Sequence, residues 1–413
     1  MIKNNQTFGI SLAACVFTLA ASTALAQAAP MTQSFTLSPN ERPAYDAAKG
    51  QGYVSIETGN EVAFAVAATP GDYRVTATVG AGRTTVWAED RRLVAGPIVV
   101  PAGQTREVSF IVNVRNAIMA NAEQDATRAP RVGLRGDEPG GRNWDDMLTI
   151  SASGPDKALL ALKVEPEQVR RLLLAGDSTV SDQAGSDFAS WGQMLPRFVG
   201  GDVVVANHAR GGETLKSFVT SLRWDKLLSE TRAGDIVIIQ FGHNDEKKQW
   251  PRTYLGPDGA YGAYLAAFVA EVRQRGANPV LVTPVARRFF ENGKIRNTHE
   301  GYDAAVRDTG QTLGVPLIDL TALSTQFYEK LGPERSALAF GNRGQDKTHH
   351  NAYGAWAMAC LAAGKLKTLD LGLAIDAPDC APHPEGFEIS ATDWPLMRTP
   401  EQPKQAAEPV SIK

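Results

Sequence analysis

Hydrophobic and polar positions follow two rhythms in this chain, and the change falls between residues 165 and 168. Upstream, apolar residues alternate with polar ones. "YRVTATV" (73–79) sets Tyr73, Val75, Ala77 and Val79 against polar neighbours, and "EVSFIVNV" (107–114) does the same with Val108, Phe110, Val112 and Val114. A period of two belongs to a strand with one buried face. Turn punctuation such as "TPGD" and "VPAGQ" recurs at roughly ten-residue intervals, which predicts an all-β sandwich over residues 31–165.

Downstream the apolar residues come in unbroken runs: "RLLLAG", "DVVVANHARGG", "DIVIIQFGHND", "NPVLVTPVARR" and "VPLIDL". Continuous Val/Ile/Leu stretches are the pattern of parallel strands covered on both faces. Helical periods lie between them. Phe188, Trp191, Leu195 and Phe198 share one face of a predicted helix, and "YGAYLAAFVAEVRQRGAN" closes on Arg/Gly punctuation. The prediction for 168–395 is a three-layer α/β unit with about five parallel strands. Residues 396–413, charged and rich in Pro, read as a mobile tail.

A chain of 413 residues is long enough for these two units. Its net charge of -3 supplies no basic field, which sets nucleic acid aside as a partner. The first 26 residues have the form of an export signal, with Lys3, an uncharged stretch from Phe8 and the small-x-small site Ala24-Leu25-Ala26. A periplasmic or extracellular protein beginning near Gln27 is expected, with no stable membrane association and as a monomer. "LAAC" ending at Cys15 offers lipoprotein processing as the alternative. After cleavage two cysteines remain, Cys360 and Cys380, an even number in an oxidising compartment and so candidates for a disulfide. A buried thiol within "WAMACLAAG" is the other reading of Cys360.

Three of the predicted strands end in polar, glycine-bearing motifs: "GDST", "NHARGG" and "GHND". In an open parallel sheet the carboxyl ends of the strands share one edge, so these motifs converge. Ser178 is thereby presented as a candidate nucleophile, although a serine at a strand end also serves as a helix cap. "DKTHH" supplies a base and an orienting acid three residues apart, His349 and Asp346. Donors for a developing oxyanion are available from the backbone N–H groups of Ser178 and Gly212 and the side-chain amide of Asn244, each worth on the order of 2.7 to 4 kcal/mol where such a hole operates. Asn244 alone would equally suit turn chemistry.

These four blocks, in this order and spacing, resemble those of the SGNH (GDSL-type) hydrolase superfamily. "AGDSTVSDQ", "FGHND" and the late "DKTHH" are most similar to its rhamnogalacturonan acetylesterases, over about residues 170–372. The upstream half resembles the galactose-binding-like β-sandwich accessory domain of bacterial relatives. The resemblance implies a flavodoxin-like α/β/α catalytic domain and a metal-free, cofactor-free serine esterase acting on acetylated pectic polysaccharide. Ser178 would be nucleophile, His349 base and then acid, Asp346 its orienter, and Gly212 and Asn244 members of the oxyanion hole. Asp177 would brace the nucleophile loop. One departure concerns specificity: relatives often carry Arg after the block-two glycine, where this chain has Glu213.

His243 and His350 read as a turn residue and a helix-start residue rather than substrate contacts. Arg210, Lys216, Lys247 and Lys248 suit either a solvated rim or the carboxylates of a galacturonate chain. The rival functions are an esterase on another polysaccharide such as xylan, a lipase or thioesterase, a two-metal phosphoesterase using Asp346, His349, His350 and His243, and a carbohydrate-binding protein without catalysis. No stretch reads as a hydrophobic lid, which favours a short acyl group on a polar substrate.

Overall fold

The computed structural model of the protein describes residues 32–378 and 380, apart from 39, 56–60, 120–127, 137 and 185–186. The export segment 1–26 with Cys15 and the tail 396–413 lie outside the described residues. Upstream, two antiparallel sheets face each other. One carries, in spatial order, Gln33–Thr36, Leu159–Glu167, Gly71–Val79 and Arg106–Val114; the other carries Gln51–Val54, Val62–Ala67, Met147–Ser153, Gly82–Ala88 and Arg92–Val100. The alternation explains the packing: Tyr73, Val75, Ala77, Val79, Val112 and Val114 share one core with Phe64, Val86 and Ile150. Ile111 breaks the alternation because its strand is covered on the other face too, where it meets Val169 and Val204.

The five parallel strands, numbered within their own sheet, are β1 (Arg170–Gly176), β2 (Val203–Asn207), β3 (Ile236–Gln240), β4 (Asn278–Val282) and β5 (Leu317–Ile318), in the order 2-1-3-4-5. That is the order of a flavodoxin-like sheet, with its switch point at β1. Successive residues of each strand face opposite layers. Leu172, Leu174, Ile236, Ile238, Val280 and Val282 pack against Trp191, Leu195, Phe327, Tyr328 and Met358. Leu173, Ala175, Val237, Ile239 and Leu281 pack against Leu215, Phe218, Leu265, Phe268 and Val306. One helical layer is therefore built from 191–198, 320–335 and 352–366, and the other from 215–230, 262–274 and 302–313.

The predicted helix through Phe188 is shorter than its pattern suggested. It spans Trp191–Met194 and tightens into a 3-10 turn, Leu195–Phe198. Ser190 caps its start, so Phe188 lies outside it, with its ring edge-on to His349 at 5.5 Å. The helix predicted from "YGAYLAAFVAEVRQRGAN" forms over Gly262–Gln274 and ends at Gly276, whose φ of 70° is a left-handed terminator. Cys360, on the helix Ala352–Leu366, is bonded to Cys380 with the Cα atoms 5.7 Å apart.

Candidate active site

The carboxyl end of β1 turns sharply. The carbonyl of Asp177 accepts the N–H groups of Val180 and Ser181, which folds the chain back over the strand. Gly176 is required there: a Cβ would sit 2.6 Å from Val180 Cγ2 and 3.0 Å from the Gln240 carbonyl oxygen of β3. Ser178 emerges half-buried at the top of this turn while Asp177 and Thr179 beside it are buried. Its Oγ lies 3.0 Å from His349 Nε2.

His349 sits on a turn rather than a helix. Asp346 builds that turn, its Oδ1 accepting the N–H of Thr348 at 2.7 Å and of His349 at 2.8 Å, while Oδ2 faces His349 Nδ1 at 3.2 Å. Burial alone would raise the Asp346 carboxyl. The His349 ring and these two N–H donors outweigh it and hold the group well below the usual carboxylate range. An ionised Asp346 requires a proton on Nδ1, which leaves Nε2 as the acceptor for the Ser178 hydroxyl.

The β2 loop comes alongside. A Cβ at Gly211 would lie 3.6 Å from that of Ser178, and Gly212 adopts φ 81° with open space where a Cβ would project. The β3 loop closes the group: Asn244 Nδ2 donates to the Glu213 carbonyl at 3.0 Å, and Lys247 Nζ donates to Asn244 Oδ1 at 2.7 Å. One hydrogen of the Asn244 amide is used in this way, and Lys247 fixes which end of the amide is nitrogen. Ser178, His349 and Asp346 are thus joined by direct contacts, and Asn244 is tied to the β2 loop that carries Gly212 through the Glu213 carbonyl.

Asp177 is buried behind Ser178. Its Oδ1 accepts the N–H and the hydroxyl of Thr179, each at 2.9 Å, and Oδ2 faces His243 Nδ1 at 3.4 Å. Burial would raise this carboxyl, but His243 and the Thr179 donors hold it below its ordinary value. His243 is a turn residue, as the sequence reading had it, and it is buried. Its Nε2 bonds the Val285 carbonyl at 3.0 Å, and burial pushes the imidazole down to about 4. His350 does not begin a helix: it is buried between Ala189 and Phe340, 2.6 Å from the Tyr328 hydroxyl, and burial lowers it to about 3. Among the described residues no three His, Cys, Asp or Glu side chains gather in an arrangement that could hold a metal ion.

Residues 174–357 match the GDSL-like Lipase/Acylhydrolase family. The rhamnogalacturonan acetylesterase RhgT of Bacillus subtilis (strain 168) is 37% identical over 217 residues, which cover 49% of this chain and 92% of the relative. The chain belongs to this acylhydrolase family. It is accordingly a carboxylic ester hydrolase. "Probable rhamnogalacturonan acetylesterase YesY" of the same strain is also 37% identical, over 49% of this chain and 94% of its own. The rhamnogalacturonan acetylesterase of Emericella nidulans is 27% identical, over 49% and 87%. The matched stretch holds Ser178, Gly212, Asn244, Asp346 and His349; the sandwich lies outside it.

In this esterase the sandwich nevertheless grips the site loops. Arg92 is buried, donating to Asp182 Oδ2 at 2.7 Å, the Asn113 carbonyl at 2.8 Å and Asn143 Oδ1 at 2.7 Å. Asp182 in turn accepts from Asn207 at the end of β2. Glu213 is fully buried against Arg135, Arg223 and Ser217. The residue that departs from the family pattern is therefore a fully buried internal anchor. Arg210 is likewise engaged, by Glu138 at 2.7 Å and by the carbonyls of Gly211 and Arg135. The sequence reading missed these anchors because the contacts that tie them to the upstream half, Arg92–Asp182, Arg135–Glu213 and Arg210–Glu138, join residues more than 70 positions apart. Asp245 was missed as well: buried, it accepts the N–H of Leu215 and Gly242 and so ties the β2 and β3 loops together, and its burial pushes it up to about 7.

Proposed function

We infer that this protein is an exported carbohydrate esterase that removes acetyl groups from a pectic polysaccharide, rhamnogalacturonan. Ser178 Oγ attacks the acetyl carbonyl as His349 Nε2 takes its proton, and Asp346 steadies the imidazolium that forms. The N–H groups of Ser178 and Gly212 and the free amide hydrogen of Asn244 receive the oxyanion. Collapse of the tetrahedral intermediate returns the proton from His349 to the departing sugar oxygen and leaves acetyl-Ser178. Water, deprotonated by the same imidazole, then releases acetate. No metal or cofactor enters these steps.

The observation that carries the chemistry is the 3.0 Å contact between Ser178 and His349. The substrate reading is supported by the names of the relatives at 37% identity and by the absence of a lid-like apolar stretch in the sequence. Export is supported by the form of residues 1–26 and by the Cys360–Cys380 bond, a linkage that persists in oxidising compartments. Acetate release from acetylated rhamnogalacturonan, acetylated xylan and acetylated homogalacturonan tests the substrate. The first is expected to give the highest kcat/KM, and faster release from xylan would overturn the assignment.

A further inference from the structure

Trp250 is the aromatic member of the large hydrophobic side chains that stand exposed among the described residues, with 53% of its surface open. It is carried by the loop that holds Asn244. That loop is closed on itself: the N–H of Trp250 bonds the Lys247 carbonyl, the N–H of Tyr254 bonds the Trp250 carbonyl, and the N–H of Leu255 bonds the Asp245 carbonyl. Tyr302 pins the far end through the Leu255 carbonyl at 2.5 Å. The indole is therefore presented on a built platform rather than on a loose tip, and an exposed aromatic so held suits a flat partner.

Lys247 links this platform to the reacting group. Its Nζ lies 2.7 Å from Asn244 Oδ1 and 5.2 Å from the centre of the Trp250 ring, so a single ammonium spans the distance between oxyanion amide and indole. An ammonium has three donors, and the amide uses one. Lys248 and Arg252 are exposed on either side of Trp250. Of the two acids of this stretch, Asp245 is buried and holds the N–H groups of Leu215 and Gly242, and Glu246 is turned inward to Arg287 and His299. Lys248 has Glu300 at 3.8 Å, a solvent-exposed pair that an incoming anion can replace at little cost. The surface beside the aromatic face is thus cationic.

We propose that Trp250, Lys247 and Lys248 form a subsite for an anionic pyranose: a uronate residue of the acetylated chain, stacked on the indole with its carboxylate toward the two ammonium groups. The subsite rests on the pectic reading above and gives it a physical basis, because a neutral xylan chain offers the ring but not the charge.

The test is a binding measurement that requires no turnover. Tryptophan fluorescence of the full chain is titrated with deacetylated rhamnogalacturonan oligosaccharides and, separately, with neutral xylo-oligosaccharides. Saturable quenching by the first is expected, weakened by added salt and by Lys248→Gln, and abolished in Trp250→Ala. Trp250→Phe, which keeps a flat face, is expected to restore binding followed by calorimetry. Stacking and charge together are expected to make the uronate oligosaccharide bind about tenfold tighter than the neutral one. Equal binding of both sugars, or undiminished binding by a folded Trp250→Ala protein, would overturn the proposal. Failure of acetate release with binding intact would instead remove the substrate reading and leave the subsite standing.

Discussion

Two histidine–carboxylate pairs stand at the same edge of the parallel sheet, Asp346–His349 and Asp177–His243, and they differ mainly in what surrounds them. The contact distances are 3.2 and 3.4 Å. In the first pair the side chains keep 34% and 24% of their surface; in the second, 3% and none. His349 has one nitrogen for its acid and the other for the Ser178 hydroxyl, with a half-open face toward solvent. The second nitrogen of His243 is spent on the Val285 carbonyl, where His299 also docks at 2.9 Å. The same two residue types therefore leave one imidazole facing a hydroxyl in one place and make a strut in the other. Exposure and the partner of the second nitrogen decide which.

This contrast fails most visibly if the exposed imidazole is dispensable. His349→Ala is expected to lower kcat on a small acetyl ester by about four to six orders of magnitude with the fold intact, as measured by initial rates and thermal unfolding. Asp346→Asn should cost less, about two to four orders, because the base survives in the wrong tautomer; a milder pH dependence of the residual rate would sharpen the assignment. For the buried pair the balance reverses. His243→Gln removes the imidazole that encloses the buried Asp177 carboxylate and is expected to cost about 3 kcal/mol of stability in denaturant unfolding, while activity per folded molecule stays within about tenfold. If His243→Gln abolished turnover in a stable protein, the two pairs would not be divided as described.

The smallest effect concerns pH. His243 takes up a proton near 6.5 when unfolded but only near 4 when folded, so between these values the unfolded chain binds more protons. Its contribution to stability is therefore complete above pH 6.5 and is lost as pH falls toward 4. The difference in thermal midpoint between wild type and His243→Gln should shrink steadily over that window. A difference that widened on acidification would contradict the burial argument.

Much of this arrangement was legible in the residues themselves. Uninterrupted apolar runs mark β1 to β5, and their polar endings mark the loops that meet at the edge, because strand direction and strand termination are local properties. Asp346 and His349 are three apart, so their pairing too is local. What the pattern did not carry was how burial divides similar residues. The sequence places His243 in a turn and His350 near a helix start without showing how deeply either lies, and each is enclosed by residues from other segments, Val285 in one case and Tyr328 with Phe340 in the other. The grip of Arg92 and Arg135 on Asp182 and Glu213 was hidden for the same reason: an ion pair between segments distant in sequence has no period.

The central claim is that Ser178 carries the ester chemistry through His349. It is tested most directly by kcat/KM for p-nitrophenyl acetate in Ser178→Ala, measured beside its thermal midpoint. The account predicts a fall of at least about three orders of magnitude with the midpoint unchanged. Turnover close to the wild-type rate in that folded variant would contradict it.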